Sequence, residues 1–280
     1  MAVPWSTHWH QLAAFGQYYW RAQNRYDVHS PFLAQWVEAV LEDRRQFYAF
    51  DETEIIRHYW KHYSSEVIDY SQDHGAGSRA GQGAKRRVKD IVRTSAVSAE
   101  TGRRLFRMVL FHQPETIIEL GTNLGISALY LQAACRSAKL YTIEGHPEVA
   151  RLAKTSFQRA KCPTPIIRTG TFAQELPKIL QEVAQVDFAW LDGDHRYEPT
   201  LRYFELMLPK LHSDSVVVVG DIHWSEEMER AWSELQQHPK VRLSVDLFDM
   251  GVLFFRSEQQ QPEHFTLVPF HYKPWRLGFF

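Results

Sequence analysis

The sequence is short of cysteine, of charge of one sign and of long apolar runs, and each shortage excludes a class of protein. Two cysteines in 280 residues, Cys135 and Cys162, are too few for a disulfide framework or a cysteine-based zinc site, and they are typical of a reducing compartment. The 32 basic and 33 acidic residues leave a net charge of −1, so no overall field attracts nucleic acid or a membrane surface. No apolar run approaches the ~20 residues of a bilayer-spanning helix, and residues 1–6 lack the pattern of a secretion signal. We therefore expect a cytoplasmic protein.

The sequence does contain enough apolar material for a large core. Hydrophobic residues make up 44% of the chain and aromatic residues 14%, which is typical of a globular protein. The pattern of apolar and polar residues changes at two points along the chain. We predict a helical N-terminal extension over residues 1–98 with a glycine-rich loop at 71–84, a main domain over 99–257, and a C-terminal tail over 258–280.

Three helices are predicted in the first 65 residues. The second begins at Ser30, whose hydroxyl precedes a proline at the first helical position, and the third begins at Asp51, with Glu54 at capping-box spacing. We expect the aromatic residues of these helices to pack against one another or against the main domain. The first helix carries a stripe at three-to-four-residue spacing, formed by Trp9, Leu12, Ala13, Gly16 and Trp20.

From about residue 114, short apolar runs alternate with helical patterns. The runs are 116–120, 139–143, 165–168, 187–191 and 215–219, and helices are expected near 124–136, 147–160, 172–184, 197–208 and 225–237. This alternation predicts βαβ units and a parallel sheet covered by helices on both faces. Two further β-rich runs, 241–248 and 251–255, predict a closing antiparallel hairpin.

A basic stretch precedes the first of these runs. Residues 79–107 hold nine lysines and arginines against only Asp90 and Glu100. Such an excess is typical of a solvated helix face, and the alternative is an edge that faces an anionic substrate or RNA. The sequence leaves both interpretations open.

The residues that follow the apolar runs carry the candidate site, because open α/β sheets bind ligands outside the carboxyl ends of their strands. The first run ends in Glu119 and a turn whose glycines, Gly121 and Gly125, let the backbone bend sharply and approach a ligand closely. Asn123 stands where the dinucleotide fingerprint has glycine. We therefore expect an uncharged nucleoside portion with a charged tail here, rather than a pyrophosphate.

The second and third runs add a carboxylate and an aromatic ring. Glu144 ends the second run, 25 residues beyond Glu119, and an acid there can accept both hydroxyls of a ribose. The third run ends in a glycine turn, and its Phe172 could lie against a base or in the core.

The fourth and fifth runs end in acidic residues and histidines. Asp192 and His195 follow the fourth run, and because desolvated charges are costly, this cluster is a strong functional candidate. Asp221 ends the fifth run and could share a divalent cation with Asp192 through oxygen ligands. It could instead cap the next helix, a role that Ser225 could also fill.

In this order the residues resemble the class I S-adenosylmethionine-dependent methyltransferases, specifically the catechol and caffeoyl-CoA O-methyltransferase group. The matching segments are 119–127, Thr142-Ile143-Glu144, and Leu191-Asp192 with His195. The resemblance covers about residues 100–257 and implies a Rossmann-like α/β sheet of seven strands, mostly parallel, with S-adenosylmethionine as cofactor. The cofactor would be held by Glu119, Gly121, Thr122, Asn123, Gly125, Ser127, Glu144, Gly145, Thr171, Phe172 and Asp192.

The resemblance also implies a metal site and a general base. In the catechol enzymes an aspartate at the position of Asp192 binds magnesium, and a lysine three residues later removes the proton of the acceptor. His195 stands at that second position, and Asp221-Ile222 stands where the family has a second metal pair, Asp-Asn. Asp192 and Asp221 are therefore the metal-ligand candidates, with His223 as an alternative nitrogen donor that would suit a transition metal. Asp192 and His195 are the catalytic candidates, and His195 is the candidate general base with or without a metal.

Three functions fit these observations. The first is methyl transfer to a hydroxyl oxygen of a small molecule. The second is methylation of tRNA, with the basic stretch holding phosphates. The third is a non-catalytic cofactor-binding protein that forms a homodimer through its aromatic helices. The acid-and-histidine cluster favours an enzyme.

Overall fold

The computed structural model of the protein describes residues 5–70, 85–161 and 163–275. The predicted glycine-rich loop at 71–84 lies outside the described residues, as does Cys162. The helices of the described part are α1 (Trp5–Arg21), α2 (Pro31–Val40), α3 (Tyr48–His62), α4 (Val88–Ser95), α5 (Ala99–His112), α6 (Ile126–Ala134), α7 (Pro147–Arg159), α8 (Phe172–Glu182), α9 (Tyr197–Met207) and α10 (Glu226–Gln237). The strands are β1 (Val67–Asp69), β2 (Lys85–Arg87), β3 (Thr116–Leu120), β4 (Lys139–Glu144), β5 (Ile166–Thr169), β6 (Phe188–Leu191), β7 (Val216–Gly220), β8 (Leu243–Asp246), β9 (Met250–Phe254) and β10 (Glu263–Thr266).

The main sheet has the order β10-β8-β9-β7-β6-β3-β4-β5. Strands β3 to β7 pair in parallel, and β9 runs antiparallel to both β7 and β8. The predicted mostly parallel α/β sheet and its closing hairpin are therefore confirmed. An eighth strand, β10, adds to the seven expected ones by pairing in parallel with β8.

Two apolar layers cover the two faces of the sheet, as the all-valine strand β7 requires. Val216 and Val218 belong to the layer that contains α2 to α7, whereas Val217 and Val219 belong to the layer formed by α8, α9 and α10. All four side chains are at most 1% exposed. A strand that is buried on both faces has an unbroken run of apolar residues, so the run of valines was enough to predict this strand from the sequence.

The N-terminal helices join the first of these layers. Trp36 of α2 is fully buried, with its ring 5.8 Å from that of Phe254 in β9. Trp60 of α3 donates from its indole nitrogen to Ser156 of α7 at 2.8 Å, and the Ser156 hydroxyl donates to the carbonyl oxygen of Leu124 at 2.6 Å. The extension thus contacts the loop that follows β3 through two successive hydrogen bonds.

The first helix buries a different face from the one predicted. Trp9, Leu12 and Trp20 are 65%, 64% and 85% exposed. The buried side chains are Ala14 and Tyr18, and the Tyr18 ring lies 5.3 Å from that of Phe248 in the β8–β9 turn. Aromatic residues lie on both faces of α1, so their spacing alone selected the wrong face. Self-association through the exposed face stays a prediction.

The predicted helix starts were partly right. The Ser30 hydroxyl accepts the backbone N–H of Leu33 with a proline at the first position of α2, and Ser225 caps α10. The predicted start at Asp51 was wrong, because α3 begins three residues earlier and its first turn already contains that aspartate. Among the described residues, no helix combines the length and apolar character needed to cross a membrane.

Candidate active site

The ends of four neighbouring strands form the candidate site. The sheet order β7-β6-β3-β4 aligns Val219, Leu191, Leu120 and Ile143 across one edge. Each is followed by a segment that the sequence singled out. The sheet topology therefore brings together the glycine turn and the acids that follow the four strands.

The turn after β3 requires glycine at its first position. Gly121 has φ of +104°, and a Cβ atom there would lie 2.4 Å from the carbonyl oxygen of Asp192. The backbone N–H groups of Gly121 and Thr122 both donate to Ile143 at 3.1 Å. The turn is thereby fixed to the two neighbouring strands, β6 and β4.

Glu144, the predicted ribose-binding acid, lies against this turn. One of its carboxylate oxygens accepts the backbone N–H of Asn123 at 2.8 Å, and the other accepts the N–H of His146 at 2.9 Å. Asn123 has φ of +49°, and its side-chain amide donates to Ser95 at 2.7 Å. The half-buried carboxylate is thus held in one orientation beside the turn.

Glu119 is fully buried beneath the turn. The Thr142 hydroxyl donates to its carboxylate at 2.5 Å, and Thr142 also contacts the Thr122 hydroxyl at 2.5 Å. Burial raises the pKa of Glu119 to about 7, although hydrogen bonds from Ser127 and Thr142 oppose the shift. The site therefore contains a carboxyl group that titrates near neutral pH.

Asp192, His195 and Asp221 form a compact group at the ends of β6 and β7. The Nε2 atom of His195 lies 3.7 Å from an Asp192 carboxylate oxygen and 3.6 Å from one of Asp221. One potential ligand atom from each of the three residues lies within 4.8 Å of the others. Burial, and then the charges of Asp221 and Glu119, raise the pKa of Asp192 well above its ordinary value. The group concentrates negative charge at one point, which suits a cation or a proton-accepting role.

The magnesium site implied by the resemblance is only partly matched. Asp192 and Asp221 offer two carboxylates, but Ile222 is fully buried in the apolar layer beneath the sheet and offers no oxygen. His223 does not replace it, because its Nδ1 and Nε2 atoms lie 2.9 Å from Glu229 and Asp246 respectively. The nitrogen donor beside the two aspartates is His195 instead.

Asp194, which lies between Asp192 and His195, and Phe172, which follows the third run, make local contacts. The Asp194 carboxylate accepts from the Arg196 guanidinium at 2.9 Å, so it is paired within its own loop. Phe172 packs edge-on against Tyr203 with ring centroids 5.6 Å apart, and its ring would be 2.6 Å from a Cβ at Gly193. Phe172 therefore lies against the turn after β6 and is half-buried there.

Sequence reasoning missed the residues that support Asp221. Its backbone N–H donates to the carbonyl oxygen of Asp249 at 2.9 Å. The Asp249 side chain accepts from Arg104 at 2.7 Å and from the Thr101 hydroxyl at 3.0 Å. Arg104 and Thr101 lie more than a hundred positions from both aspartates, and Asp249 is separated from Asp221 by α10 and β8, so no local pattern could have revealed these contacts.

Part of the basic stretch is used inside the fold. Arg104 pairs with Asp249, Arg107 lies 3.7 Å from Asp43, and the Arg103 guanidinium lies 5.3 Å from an aromatic ring centroid. These contacts within the fold account for the three arginines without a bound phosphate. The lysines and arginines exposed on α4 and just before it are Lys85, Arg87, Lys89 and Arg93.

Comparisons with known proteins agree with this geometry. A family model described as a methyltransferase domain matches residues 118–222. A catechol O-methyltransferase of Niastella koreensis is 28% identical over 166 residues, which cover 57% of this chain and 70% of that protein.

Solved structures share the fold at low sequence identity. An O-methyltransferase from Bacillus cereus in complex with S-adenosylhomocysteine has a TM-score of 0.52 at 16% identity, over 80% of this chain and 97% of that one. A methyltransferase from Podospora anserina, bound to the same compound, has a TM-score of 0.56 at 14% identity, over 82% and 98%.

Residues 118–222 therefore match a methyltransferase domain, and the chain shares the fold of solved methyltransferase structures. The family-model match begins in β3 and ends at Ile222, so it spans the turns after β3, β4, β6 and β7. Among methyltransferases, this chain is similar to O-methyltransferases.

Proposed function

We propose that the protein transfers the methyl group of S-adenosylmethionine to a hydroxyl oxygen of a small molecule. The observation that carries this proposal is the group Asp192, His195 and Asp221, which lies beside the glycine turn at the same sheet edge. A proton acceptor next to a cofactor turn is what transfer to oxygen requires, because the acceptor must lose a proton.

The cofactor is assigned to the turn after β3 and the acid after β4. Support comes from the fixed turn at Gly121 and from Glu144, whose carboxylate lies against that turn. The proposed cofactor contacts are those of the sequence analysis: Glu119, Gly121, Thr122, Asn123, Gly125, Ser127, Glu144, Gly145, Thr171, Phe172 and Asp192.

His195 is proposed as the general base. The residues proposed to contact the cofactor would hold S-adenosylmethionine, whose positively charged sulfur would supply the methyl group and leave as a neutral thioether, while the acceptor oxygen gains the methyl group and loses its proton. The acceptor proton passes to Nε2 of His195, the ring nitrogen near both carboxylates. Asp192 and Asp221 favour the protonated imidazole that results, since both lie within 4 Å of that nitrogen.

A phenol-like acceptor suits this arrangement. Such a hydroxyl has a pKa of about 10, so at neutral pH it needs a base or a cation to react. The similarity to the catechol O-methyltransferase of Niastella koreensis supports the same acceptor class. The pairing of Arg103, Arg104 and Arg107 within the fold removes part of the argument for RNA.

A divalent cation is proposed as a further component, held by Asp192 and Asp221. Two carboxylates close to one another repel, and a bound cation removes that repulsion. Burial raises the pKa of Asp192, and the negative charges of Asp221 and Glu119 raise it further. From the low cysteine content, we propose that the enzyme works in the cytoplasm.

The test is cofactor consumption by the purified protein with a panel of catechols, hydroxy acids and tRNA. The variant His195→Ala is expected to lose about 10²- to 10⁴-fold in turnover while its affinity for S-adenosylhomocysteine stays nearly unchanged. Asp192→Ala should also weaken binding of the cofactor or the cation. His29→Ala is the matched control, because His29 is exposed and lies outside the site. Unchanged turnover in His195→Ala would remove this residue from the reaction, and consumption with tRNA alone would replace the small acceptor.

A further inference from the structure

We propose that His195 completes a three-ligand site with Asp192 and Asp221, and that this site selects a divalent transition metal over magnesium. The inference rests on the proposed cation at the two aspartates and adds its third ligand and its chemical class. With the ion bound, Nε2 of His195 would be a ligand and not the proton acceptor, and the cation would instead lower the pKa of the acceptor hydroxyl.

The distances allow one ion to contact all three side chains. Nε2 of His195 is 3.7 Å from Asp192 and 3.6 Å from Asp221. Ligand atoms that each lie about 2.1 Å from a common ion are roughly 3.0–3.5 Å from one another. Contraction by a few tenths of an ångström, within reach of side-chain rotation, would therefore close these two pairs around an ion.

The backbone already holds the ligands in position. Asp192 and His195 come from the same β6–α9 connection, whereas Asp221 ends β7 and is fixed through its N–H to Asp249. Gly220 leaves room for the Asp192 carboxylate, since a Cβ at that position would lie 2.8 Å from its oxygen. Small shifts of side chains, rather than movement of the sheet, would suffice to bind an ion.

The chemical types of the three ligand atoms determine which metal ions the site prefers. Magnesium prefers oxygen ligands, whereas an imidazole nitrogen with two carboxylates suits manganese, iron, cobalt or zinc. The oxygen that an amide after Asp221 would offer is missing, because Ile222 is buried in the core. His223 is paired with Glu229 and Asp246 and does not compete for the ion. The nitrogen of His195 thus takes the third position.

The experiment measures metal binding, because turnover would not separate the ligand role of His195 from its proposed role as a base. Full-length protein without a polyhistidine tag is freed of metal with a chelator and titrated with Co²⁺, Mn²⁺, Zn²⁺ and Mg²⁺ by calorimetry. Visible ligand-field absorption of bound Co²⁺ reports on its ligands. The variants are His195→Ala and Asp221→Asn, with His29→Ala as the exposed control. The thermal midpoint without metal shows whether each variant is folded.

We expect wild-type protein and the His29 control to bind one Co²⁺ at least about tenfold more tightly than Mg²⁺. His195→Ala should lose about 10- to 100-fold in Co²⁺ affinity, with little change for Mg²⁺, and its ligand-field spectrum should change. Asp221→Asn should weaken both metals. Equal or tighter binding of Mg²⁺ by the wild type, an unaltered Co²⁺ spectrum in His195→Ala, or no metal binding at all would overturn the proposal.

Binding of S-adenosylhomocysteine to the metal-free samples separates this inference from the proposed function. If the cofactor product binds and Co²⁺ does not, only the metal site fails. If Co²⁺ binds as expected and the cofactor product does not, the metal site stands and the proposed methyl transfer fails.

Discussion

The buried carboxyl group of Glu119 makes stability depend on pH in a direction opposite to that of an ordinary paired acid. Its pKa is raised by burial from 4.5 to about 7, so the folded protein holds a proton that the unfolded chain has released between these values. The free energy of unfolding is therefore expected to fall as pH rises from 4.5 to 7, and to stay low above that. At about 1.4 kcal/mol per pKa unit, the full contribution is about 3 kcal/mol.

The variant Glu119→Gln tests this reasoning, because it keeps the shape of the protonated acid and cannot ionise. Relative to the wild type, it should be almost unchanged near pH 4.5 and more stable by up to about 3 kcal/mol at pH 8.5. Urea unfolding of the cofactor-free protein at a series of pH values measures the difference. Glu115→Gln, at the exposed position just before β3, is the control and should show no such trend. A constant difference between Glu119→Gln and the wild type across this range would refute a raised pKa at Glu119.

Two further predictions concern the turn after β3 and the end of α1. Gly121→Ala combines φ of +104° with a Cβ contact at 2.4 Å, so it should cost at least about 2 kcal/mol of unfolding free energy and weaken S-adenosylhomocysteine binding. Gly16→Ala in α1, where a Cβ meets nothing within 4 Å, should be neutral or stabilising in the same denaturation assay. Lys273→Met removes an ammonium that donates to three backbone carbonyls at the end of α1, and should lower stability by about 2 kcal/mol. Lys240→Met, at an exposed position, is its control, and equal thermal midpoints for the two lysine variants would contradict the role of Lys273.

The central sheet was predictable because its signals are local. Each strand from β3 to β7 is a short apolar run followed by a helical pattern, and parallel strands place their carboxyl ends on one edge. The proximity of Asp192 and Asp221 followed from that rule alone, and the structure places both beside His195. Their roles remain predictions, since position does not establish chemistry.

The parts that escaped prediction depend on contacts between distant segments. The strand β10 pairs with β8 in a stretch that the sequence presented as a tail. The face of α1 that is buried is decided by Phe248, more than two hundred residues away, and not by the stronger aromatic stripe through Trp9 and Trp20. The spacing of apolar residues predicts an amphipathic helix, but the segment that packs against the helix determines which of its faces is buried.

The backbone at Asp221 links these distant contacts to the site. It has φ of +55°, a conformation that is uncommon for non-glycine residues and that aspartate adopts more readily than most. Its N–H donates to Asp249, which is itself held by Arg104 and Thr101 of α5. Asp249, Arg104 and Thr101 all lie outside residues 118–222, the segment shared with the methyltransferase domain model. Asp221 belongs to the shared segment, but its conformation depends on the flanking parts of this chain, so those parts contribute to the geometry of the site as well as to the core.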